Sequence, residues 1–315
     1  MQKPKIAIIG AGNVGATTAH LLAIKNLCDI VLLDVEEGIA KGKALDIMQS
    51  APLEKFDIAI EGTSNYEDTK DSDIVIITAG IARKLGMSRD ELLTINAKIV
   101  KDVAQKAAKY SMNAVMIVVT NPLDAMTHAV ATSSNFPINK VIGMGSSLDS
   151  ARFAAFIAEE LGIPAKNVKA IVIGSHSDLM VPLPEHSTAN GNQISKILPR
   201  EKIEKLMERT RNGGKEIIEL IKTSSASYGP ASSIALMAKS ILLDKKSLIP
   251  CCTYCDKEYD ASGCFIGVPA ILGKNGVEKI VELIMSSKEK DAFRKSVEHV
   301  KGLVEKTKNI MQGKD

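Results

Sequence analysis

Four short apolar runs in the first half of the chain alternate with longer segments that carry apolar residues at helical spacing. The runs begin at residues 5, 29, 71 and 114 and read KIAIIG, DIVLLD, DSDIVIITAG and AVMIVVTNP. They are continuously apolar and bounded by turn residues, as strands buried on both faces are. The predicted helices between them are NVGATTAHLLAIKN, EEGIAKGKALDIMQ and RDELLTINAKIVKDVAQKAAKYS. The alternation predicts an α/β fold with a doubly wound parallel sheet.

The pattern changes after about residue 145. Helical spacing recurs in SLDSARFAAFIAEELG, EKIEKLMERTRNGGKEIIELIK, SIALMAKSILLD and the C-terminal KDAFRKSVEHVKGLVEKTKNIM. Between them lie the predicted strands NVKAIVIG and MVPLP and two β-like segments around 248 to 255 and 263 to 272. This irregular order predicts an α+β domain. Because no linker rich in Pro, Gly or Ser separates the halves, we expect residues 1–145 and 146–315 to form two tightly packed domains.

The composition excludes several kinds of partner. The chain of 315 residues is 45% hydrophobic, enough to fill a sizeable core. Its 40 basic and 37 acidic residues are spread evenly and only 3% of residues are aromatic, so we expect no nucleic-acid partner. No apolar run approaches the roughly 20 residues of a membrane span, and the N-terminal run breaks at Gly10, which is unlike a signal peptide. We therefore expect a cytoplasmic protein without a membrane partner.

The cysteines raise the question of a metal site. They are Cys28, Cys251, Cys252, Cys255 and Cys264. An odd number in a long chain favours reduced thiols over a disulfide framework. The last four are clustered, but their single C-x-x-C pair has no matching second pair, and cysteine is common as a small buried apolar residue. We expect no metal.

The segment GAGNVG follows the first predicted strand and opens the first predicted helix, the context that a G-x-G-x-x-G dinucleotide-binding motif requires. The first glycine permits a tight turn, the second lets the backbone approach a pyrophosphate, and the third lets the helix pack closely on the sheet. The helix N-terminus offers its N–H groups to the phosphates. The segment predicts a Rossmann-type domain whose cofactor-binding residues include Gly10, Ala11, Gly12, Asn13, Val14 and Gly15.

Asp34 ends the second predicted strand, 19 positions after Gly15. A carboxylate there can accept hydrogen bonds from the ribose hydroxyls, whereas it would repel a 2′-phosphate. The cofactor predicted from these residues is therefore NAD rather than NADP.

Three further motifs carry candidate chemistry. Asn121 follows the fourth predicted strand, Asp149 and Arg152 share one face of a helix, and His176 follows another apolar run. Singly they could be a turn former, a surface ion pair and a loop residue. Together, behind a dinucleotide motif, they predict alcohol oxidation: histidine to take the proton, aspartate to orient it, and arginine to hold a substrate carboxylate by two hydrogen bonds.

Eight segments in order, GAGNVG, LLD, ITAG, SRDELL, VTNPLD, LDSARF, GSHSD and GVPAILGKNGVEKI, give the chain a recognisable pattern. Over nearly its whole length it resembles the lactate/malate dehydrogenase superfamily, and most of all the lactate-dehydrogenase-like malate dehydrogenases of bacteria. The resemblance implies reversible hydride transfer between NAD and a 2-hydroxy acid.

The resemblance also implies a role for each matching residue. His176 would be the proton donor and acceptor with Asp149 as its partner, and Arg152 would bind the substrate carboxylate. Asn121 would hydrogen-bond the substrate oxygen, and Arg89 would polarise the keto group in the transition state. Further positions that match cofactor contacts are Asn96, Val119 and Thr120.

The loop at about residues 80–92 decides the expected substrate. Lactate dehydrogenases of the superfamily usually carry glutamine at the position of Arg83, and malate dehydrogenases carry arginine. An arginine there would pair the second carboxylate of oxaloacetate when the loop closes, and would be left unpaired over pyruvate. Malate and oxaloacetate are therefore expected, with lactate or another 2-hydroxy acid as the alternative and a catalytically silent NAD-binding protein less favoured. Lys84 has no assigned role.

The chain departs from the usual motifs in two places. It reads GSHSD where GGHGD is more common, and GMGSSL at residues 143 to 148 where GMAGVL is usual. The changed residues flank the expected active site without replacing a catalytic group. They therefore affect the expected shape of the pocket and the expected rate more than the type of reaction. The resemblance also implies a homodimer or homotetramer, and the apolar residues of the helix around 147 to 161 suit either a core or an interface: Phe153, Phe156, Ile157 and Leu161.

Overall fold

A sheet of nine strands forms the centre of the computed structural model, which describes residues 3–81 and 87–314 but not the side chain of Arg89. The strands of this described part are β1 (Lys5–Ile9), β2 (Asp29–Leu33), β3 (Ile60–Thr63), β4 (Ile74–Ile77), β5 (Val115–Val118), β6 (Val141–Gly143), β7 (Val168–Lys169), β8 (Val172–Ile173), β9 (Val181–Pro182), β10 (Thr188–Ala189), β11 (Asn192–Gln193), β12 (Ser247–Cys255), β13 (Cys264–Gly273) and β14 (Gly276–Ile280). Its α-helices are α1 (Asn13–Ile24), α2 (Glu37–Glu54), α3 (Arg89–Tyr110), α4 (Leu123–Ser134), α5 (Gly145–Leu161), α6 (Ile194–Ile197), α7 (Arg200–Ile221), α8 (Tyr228–Leu242) and α9 (Ser287–Gln312).

The first six strands are parallel and lie in the order β3-β2-β1-β4-β5-β6. The predicted doubly wound parallel sheet is therefore confirmed. The strand order reverses between β1 and β4, and in such sheets ligands bind in the crevice at the carboxyl ends of the strands next to this reversal.

Alternate residues of each inner strand enter two different cores, because side chains alternate across a strand. In β1, Ile6 and Ile8 join the apolar cluster on one face of the sheet, and Ala7 and Ile9 join the cluster on the other. Helices α1, α2 and α8 cover the first face, and α3, α4 and α9 cover the second. Burial on both faces explains why these strands read as continuous apolar runs.

The two halves of the chain share this sheet. Strand β12 pairs antiparallel with β6 through Cys252 and Gly143, and β13 and β14 extend the sheet beyond it. The approach is close at Gly143, where an added Cβ would lie 2.8 Å from the Cβ of Cys252. The later half therefore adds three antiparallel strands, which agrees with its predicted α+β character.

Some predicted elements differ in detail. The segment NVKAIVIG was expected to be one strand, but it forms β7 and β8, which pair with β10 and β9 respectively. In α5, Phe153 and Ile157 are fully buried, and Phe156 and Leu161 pack beside the same core cluster. Phe153 and Ile157 of α5 therefore belong to the core of the chain.

All five cysteines are buried and free. Within the described ranges, no group of three or more His, Cys, Asp and Glu side chains is arranged to hold a metal ion. No helix in that part of the chain is long and apolar enough to cross a membrane.

Candidate active site

The glycine loop joins β1 to α1 at the carboxyl edge of the sheet. Gly10 has a φ of 109°, and an added Cβ would lie 2.6 Å from Thr78 Oγ1, so only glycine fits. A Cβ at Gly15 would lie 1.9 Å from the carbonyl oxygen of Gly10, which is the predicted close packing of helix on strand. The space beside Gly12 is open for 4 Å, and among the described residues no side chain caps α1. The loop can therefore accept a pyrophosphate against the helix N-terminus.

Two side chains form hydrogen bonds to the main chain of Ala11. Its N–H donates to Asp34 Oδ2 at 2.7 Å, and its carbonyl oxygen accepts from Lys43 Nζ at 2.7 Å. The other oxygen of Asp34 accepts the N–H of Glu36 at 3.1 Å. Each carboxylate oxygen keeps a lone pair for a ribose hydroxyl. Lys43 lies on α2, and no motif in the sequence marked it.

Asn96 joins the base of the predicted mobile loop to the turn after β5. Its Oδ1 accepts the N–H of Ile81 at 2.8 Å, and its Nδ2 donates to the carbonyl oxygens of Ile81 at 3.1 Å and of Asn121 at 2.8 Å. The Thr120 hydroxyl donates to the carbonyl oxygen of Ala79 at 2.6 Å. Both side chains thus bind the backbone, so their predicted cofactor contacts remain predictions.

The two residues beside Thr120 differ in exposure. Val119 is nearly buried, whereas Asn121 is exposed at the carboxyl end of β5. Asn121 therefore has a side chain that a ligand in the crevice can reach.

His176, Asp149 and Arg152 come together as the sequence predicted. His176 Nδ1 lies 2.8 Å from Asp149 Oδ2, and Arg152 Nη1 lies 3.3 Å from Asp149 Oδ1. The Asp149 side chain is 1% exposed, against 13% for His176 and 14% for Arg152. Gly145, two residues after the end of β6, would place a Cβ 2.8 Å from that of His176, so the cluster lies at the same sheet edge as Asn121.

The surroundings of His176 favour its protonated form. Burial lowers its pKa, but the charge of Asp149, the hydrogen bond to it and the charge of Asp124 outweigh burial and the opposing charge of Arg152. The net result is a raised pKa. Because a carboxylate only accepts hydrogen bonds, the Nδ1 proton faces Asp149. Nε2 makes no hydrogen bond to the part of the chain that the structure describes.

Arg152 has a hydrogen-bond donor that a ligand could use. Its Nε is buried without a hydrogen-bond partner among the described residues. Helix α7 makes room for it, since a Cβ at Gly213 would lie 3.3 Å from Arg152 Cδ. A buried donor without a partner is unfavourable, and a bound carboxylate would satisfy it.

The loop that carries His176 is anchored to other elements. The N–H of Ser175 donates to Ser296 Oγ on α9 at 2.6 Å, and the hydroxyls of Ser175 and Ser177 lie 2.7 Å apart. The N–H of His176 itself donates to Asp124 Oδ2 at 2.9 Å. The serines of the unusual GSHSD segment thus hold one another and a helix.

The loop at about residues 80–92 is described only in part. Arg83 and Lys84 lie outside the described residues, as does the side chain of Arg89. Arg89 is the first residue of α3, whose N-terminus carries a capping box between Ser88 and Glu91.

A helix terminus open to phosphates, at the same sheet edge as a histidine oriented by a buried carboxylate, is typical of dinucleotide-dependent dehydrogenases. The family model for the lactate/malate dehydrogenase NAD binding domain matches residues 4–143, and the model for the alpha/beta C-terminal domain matches residues 146–311. The chain belongs to the lactate/malate dehydrogenase family, and its cofactor is NAD.

Individual relatives agree with this assignment. A malate dehydrogenase of Heliobacterium modesticaldum is 51% identical over 304 residues, which cover 96% of this chain and 98% of the relative. The solved malate dehydrogenase of Picrophilus torridus superposes with a TM-score of 0.96 at 45% identity and covers 99% of both chains. A lactate dehydrogenase of Cryptosporidium parvum, solved with lactic acid and the cofactor, gives a TM-score of 0.95 at 39% identity and covers 98% of this chain and 99% of that one.

Proposed function

We propose that the chain is an NAD-dependent malate dehydrogenase that interconverts (S)-malate and oxaloacetate. The buried cluster of His176, Asp149 and Arg152 carries the proposal, because it combines a proton acceptor with a site for a carboxylate. A relative 51% identical over nearly the whole chain, named as a malate dehydrogenase, supports it. When bound, the nicotinamide supplies the hydride acceptor for oxidation and the hydride donor for reduction.

His176 performs the proton transfer in this proposal. Nε2 takes the malate hydroxyl proton during oxidation and returns it to the forming alkoxide during reduction. Asp149 holds the ring through Nδ1 and stabilises the imidazolium. The raised pKa of His176 suits a group that must carry a proton when the keto acid binds.

Arginine and asparagine side chains orient the substrate in this proposal. The free donors of Arg152 bind the carboxylate next to the reacting carbon. Asn121 donates to the substrate oxygen, and Arg89 stabilises the negative charge that develops there. Residues 1–145 thus contribute the cofactor site with Asn121 and Arg89, and residues 146–315 contribute His176, Asp149 and Arg152.

Arg83 selects the substrate in this proposal. Its guanidinium pairs the second carboxylate of malate or oxaloacetate, which would otherwise be buried without a counter-charge. Lactate is the second candidate, favoured by the likeness to the lactate dehydrogenase of Cryptosporidium parvum. Malate is preferred because Arg83 would be left unpaired above pyruvate.

A silent NAD-binding protein is less well supported. Such a protein would have no need for a buried arginine donor without a partner or for a histidine held by a buried carboxylate. The buried donor of Arg152 in particular is unfavourable unless a ligand satisfies it.

Steady-state rates with NADH and NADPH on oxaloacetate, pyruvate and bulkier 2-keto acids test the assignment. We expect oxaloacetate with NADH to be the best pair. Arg83→Gln should lower kcat/KM for oxaloacetate far more than for pyruvate, while Lys84→Gln, from the same loop, should leave the ratio unchanged. An unchanged ratio in Arg83→Gln would overturn the role of Arg83. The absence of turnover on every keto acid would favour the silent protein.

We also propose that the chain forms a homodimer or homotetramer. Helix α2 exposes large apolar side chains, and a second copy would cover them: Ile39, Leu45, Met48 and Leu53. Sedimentation equilibrium should give a mass of at least two chains, and a monomer at micromolar concentration would contradict this.

A further inference from the structure

The loop that carries His176 has a serine on each side of the histidine, where the more common GGHGD has glycine. Ser175 is 1% exposed and Ser177 is half-buried. Their Oγ atoms lie 2.7 Å apart, and either hydroxyl can donate the hydrogen bond. The N–H of Ser177 also donates to the carbonyl oxygen of Ser175 at 2.8 Å, so His176 is the central residue of a three-residue turn. One main-chain and one side-chain hydrogen bond therefore close the turn around the histidine.

The chain before His176 is held by two other elements. Gly174 exchanges main-chain hydrogen bonds of 2.8 and 3.1 Å with Gly267 of β13. The N–H of Ser175 donates to Ser296 Oγ on α9 at 2.6 Å, and Ser296 is fully buried. Ser175 therefore has a fixed position relative to both the sheet and α9.

The chain directly after His176 is exposed, at Asp178 and Leu179. The Ser177 hydroxyl accepts the N–H of Leu179 at 3.1 Å and is bonded to the hydroxyl of Ser175 as well. The two hydroxyls thus connect the exposed end of the loop to the anchored end. With glycine at both positions this connection would be absent, and the main chain would have more conformational freedom.

A proton acceptor depends on an accurate position. A displacement of about 1 Å in an active site can cost roughly 10²-fold in rate. The hydrogen bond between His176 and Asp149 fixes the direction of the ring, but the ring also moves with the main chain that carries it. The two hydroxyls restrain that main chain at the residues immediately before and after the histidine.

We propose that Ser175 and Ser177 form a hydroxyl clasp across His176, and that this clasp holds the imidazole where Nε2 can reach the substrate hydroxyl. Both serines are positioning residues that act through the histidine. The proposal rests on the proposed function, in which His176 exchanges the proton. Because the clasp needs both hydroxyls, the loss of either one should have about the same effect as the loss of both.

Three variants test the clasp: Ser175→Ala, Ser177→Ala and the double variant. Neither serine has a positive φ, so alanine fits the main chain at both positions. Ser240→Ala is the matched control, because the Ser240 hydroxyl is also buried and donates to the carbonyl oxygen of Leu272 at 2.8 Å, but in the last turn of α8. The control should lower the melting temperature and leave every other measurement at the parent value.

The first measurement is the rate of hydride transfer from malate in a single turnover, followed by stopped-flow absorbance of NADH. We expect each single variant to lower this rate by roughly 3- to 10-fold, with malate KM and NADH affinity within about twofold of the parent. Neither serine belongs to the proposed carboxylate or cofactor site, so binding should be spared. The double variant should be about as slow as the slower single variant, whereas two independent serines would multiply their losses.

The second measurement is hydrogen exchange at the Leu179 amide, which needs no turnover. This N–H donates to Ser177 and not to Ser175, so Ser175→Ala can expose it only through the clasp. We expect exchange at Leu179 to be roughly 3- to 10-fold faster in both single variants, because the loop opens more often. Exchange in Ser240→Ala should match the parent.

Three results would overturn the proposal: parent-like exchange at Leu179 in Ser175→Ala, parent-like hydride transfer in either single variant, or losses that multiply in the double variant. If the double variant does not fold, the single variants decide. A parent that binds NADH but oxidises no malate would instead refute the proposed function. The exchange at Leu179 would then still show whether the clasp forms.

Discussion

Asp149 Oδ2 lies 2.8 Å from His176 Nδ1 in a pocket that leaves the carboxylate only 1% exposed. The other oxygen of the same carboxylate lies 3.3 Å from Arg152. One side chain therefore orients both the proposed base and the proposed carboxylate-binding group. In low-dielectric surroundings such hydrogen bonds are stronger, so a small change at Asp149 should be felt at both.

Asp149→Asn tests how Asp149 controls the protonation of His176. Removing the charge takes away the main influence that raises the His176 pKa, and the amide no longer enforces the Nδ1 proton. We expect kcat to fall by roughly 10²- to 10⁴-fold, the size of a general-base contribution. Rates of both reaction directions as a function of pH provide the measurement.

The sign of the pH dependence follows from the direction of the shift. Malate oxidation needs neutral His176, so its rate in the parent should rise with pH through a pKa above the ordinary value of about 6.5. Oxaloacetate reduction needs the protonated form and should fall through the same pKa. In Asp149→Asn the pH profiles of both reactions should move to lower pH. An unchanged pH profile would show that Asp149 does not control the protonation of His176.

Gly145→Ala tests how tightly His176 is packed. An added Cβ would lie 2.8 Å from His176 Cβ and 2.5 Å from Leu123 Cδ2, so the loop or the helix must shift. We expect kcat to drop by roughly tenfold or more, with a loss of about 1–3 kcal/mol in the free energy of unfolding. Chemical denaturation and steady-state kinetics measure the two effects.

Gly302→Ala is the control for that substitution. Gly302 lies on α9 with nothing within 4 Å of the added Cβ, so alanine there should stabilise the helix by about 0.5–1 kcal/mol and leave kcat unchanged. Parent-like kinetics in Gly145→Ala would mean that the site tolerates a methyl group against His176.

Lys43 should contribute to cofactor affinity without touching the substrate. Its ammonium group holds the carbonyl oxygen of Ala11 at 2.7 Å, opposite the bond from the Ala11 N–H to Asp34. Lys43→Met keeps the length of the side chain and removes the bond. Hydrogen bonds to charged groups contribute about 1.5–3 kcal/mol, so we expect NADH to bind roughly tenfold more weakly or worse.

Lys41→Met is the matched control, because Lys41 lies on the same helix and pairs only with Glu37 at the surface among the described residues. Fluorescence titration should give a parent-like NADH affinity for this control. If Lys43→Met binds NADH as tightly as the parent, the hydrogen bond from Lys43 to Ala11 has no role in cofactor binding.

Sequence patterns predicted the inner strands because burial on both faces leaves a continuous apolar run. They missed β3, an edge strand that reads IEGT, and β6, which has three residues. In the site, Asp149 and His176 were found because residue type and motif context mark them. Asp124 and Lys43 were missed because each bonds to the main chain of a residue 52 or 32 positions away, and no residue pattern encodes a backbone partner.

The cysteines should be chemically silent in the folded protein. Burial raises the pKa of Cys28, Cys251 and Cys264 to about 12, and it raises those of Cys252 and Cys255 as well. Because the thiolate is the reactive form, a disulfide reagent at neutral pH should modify none of them while the protein is folded. In concentrated guanidinium chloride the reagent should modify five thiols per chain, one for each cysteine in the sequence. Rapid modification of Cys251, Cys252, Cys255 or Cys264 in the folded enzyme, with activity retained, would contradict this prediction. It would show that β12 and β13, where Cys255 pairs with Cys264, open readily to solvent.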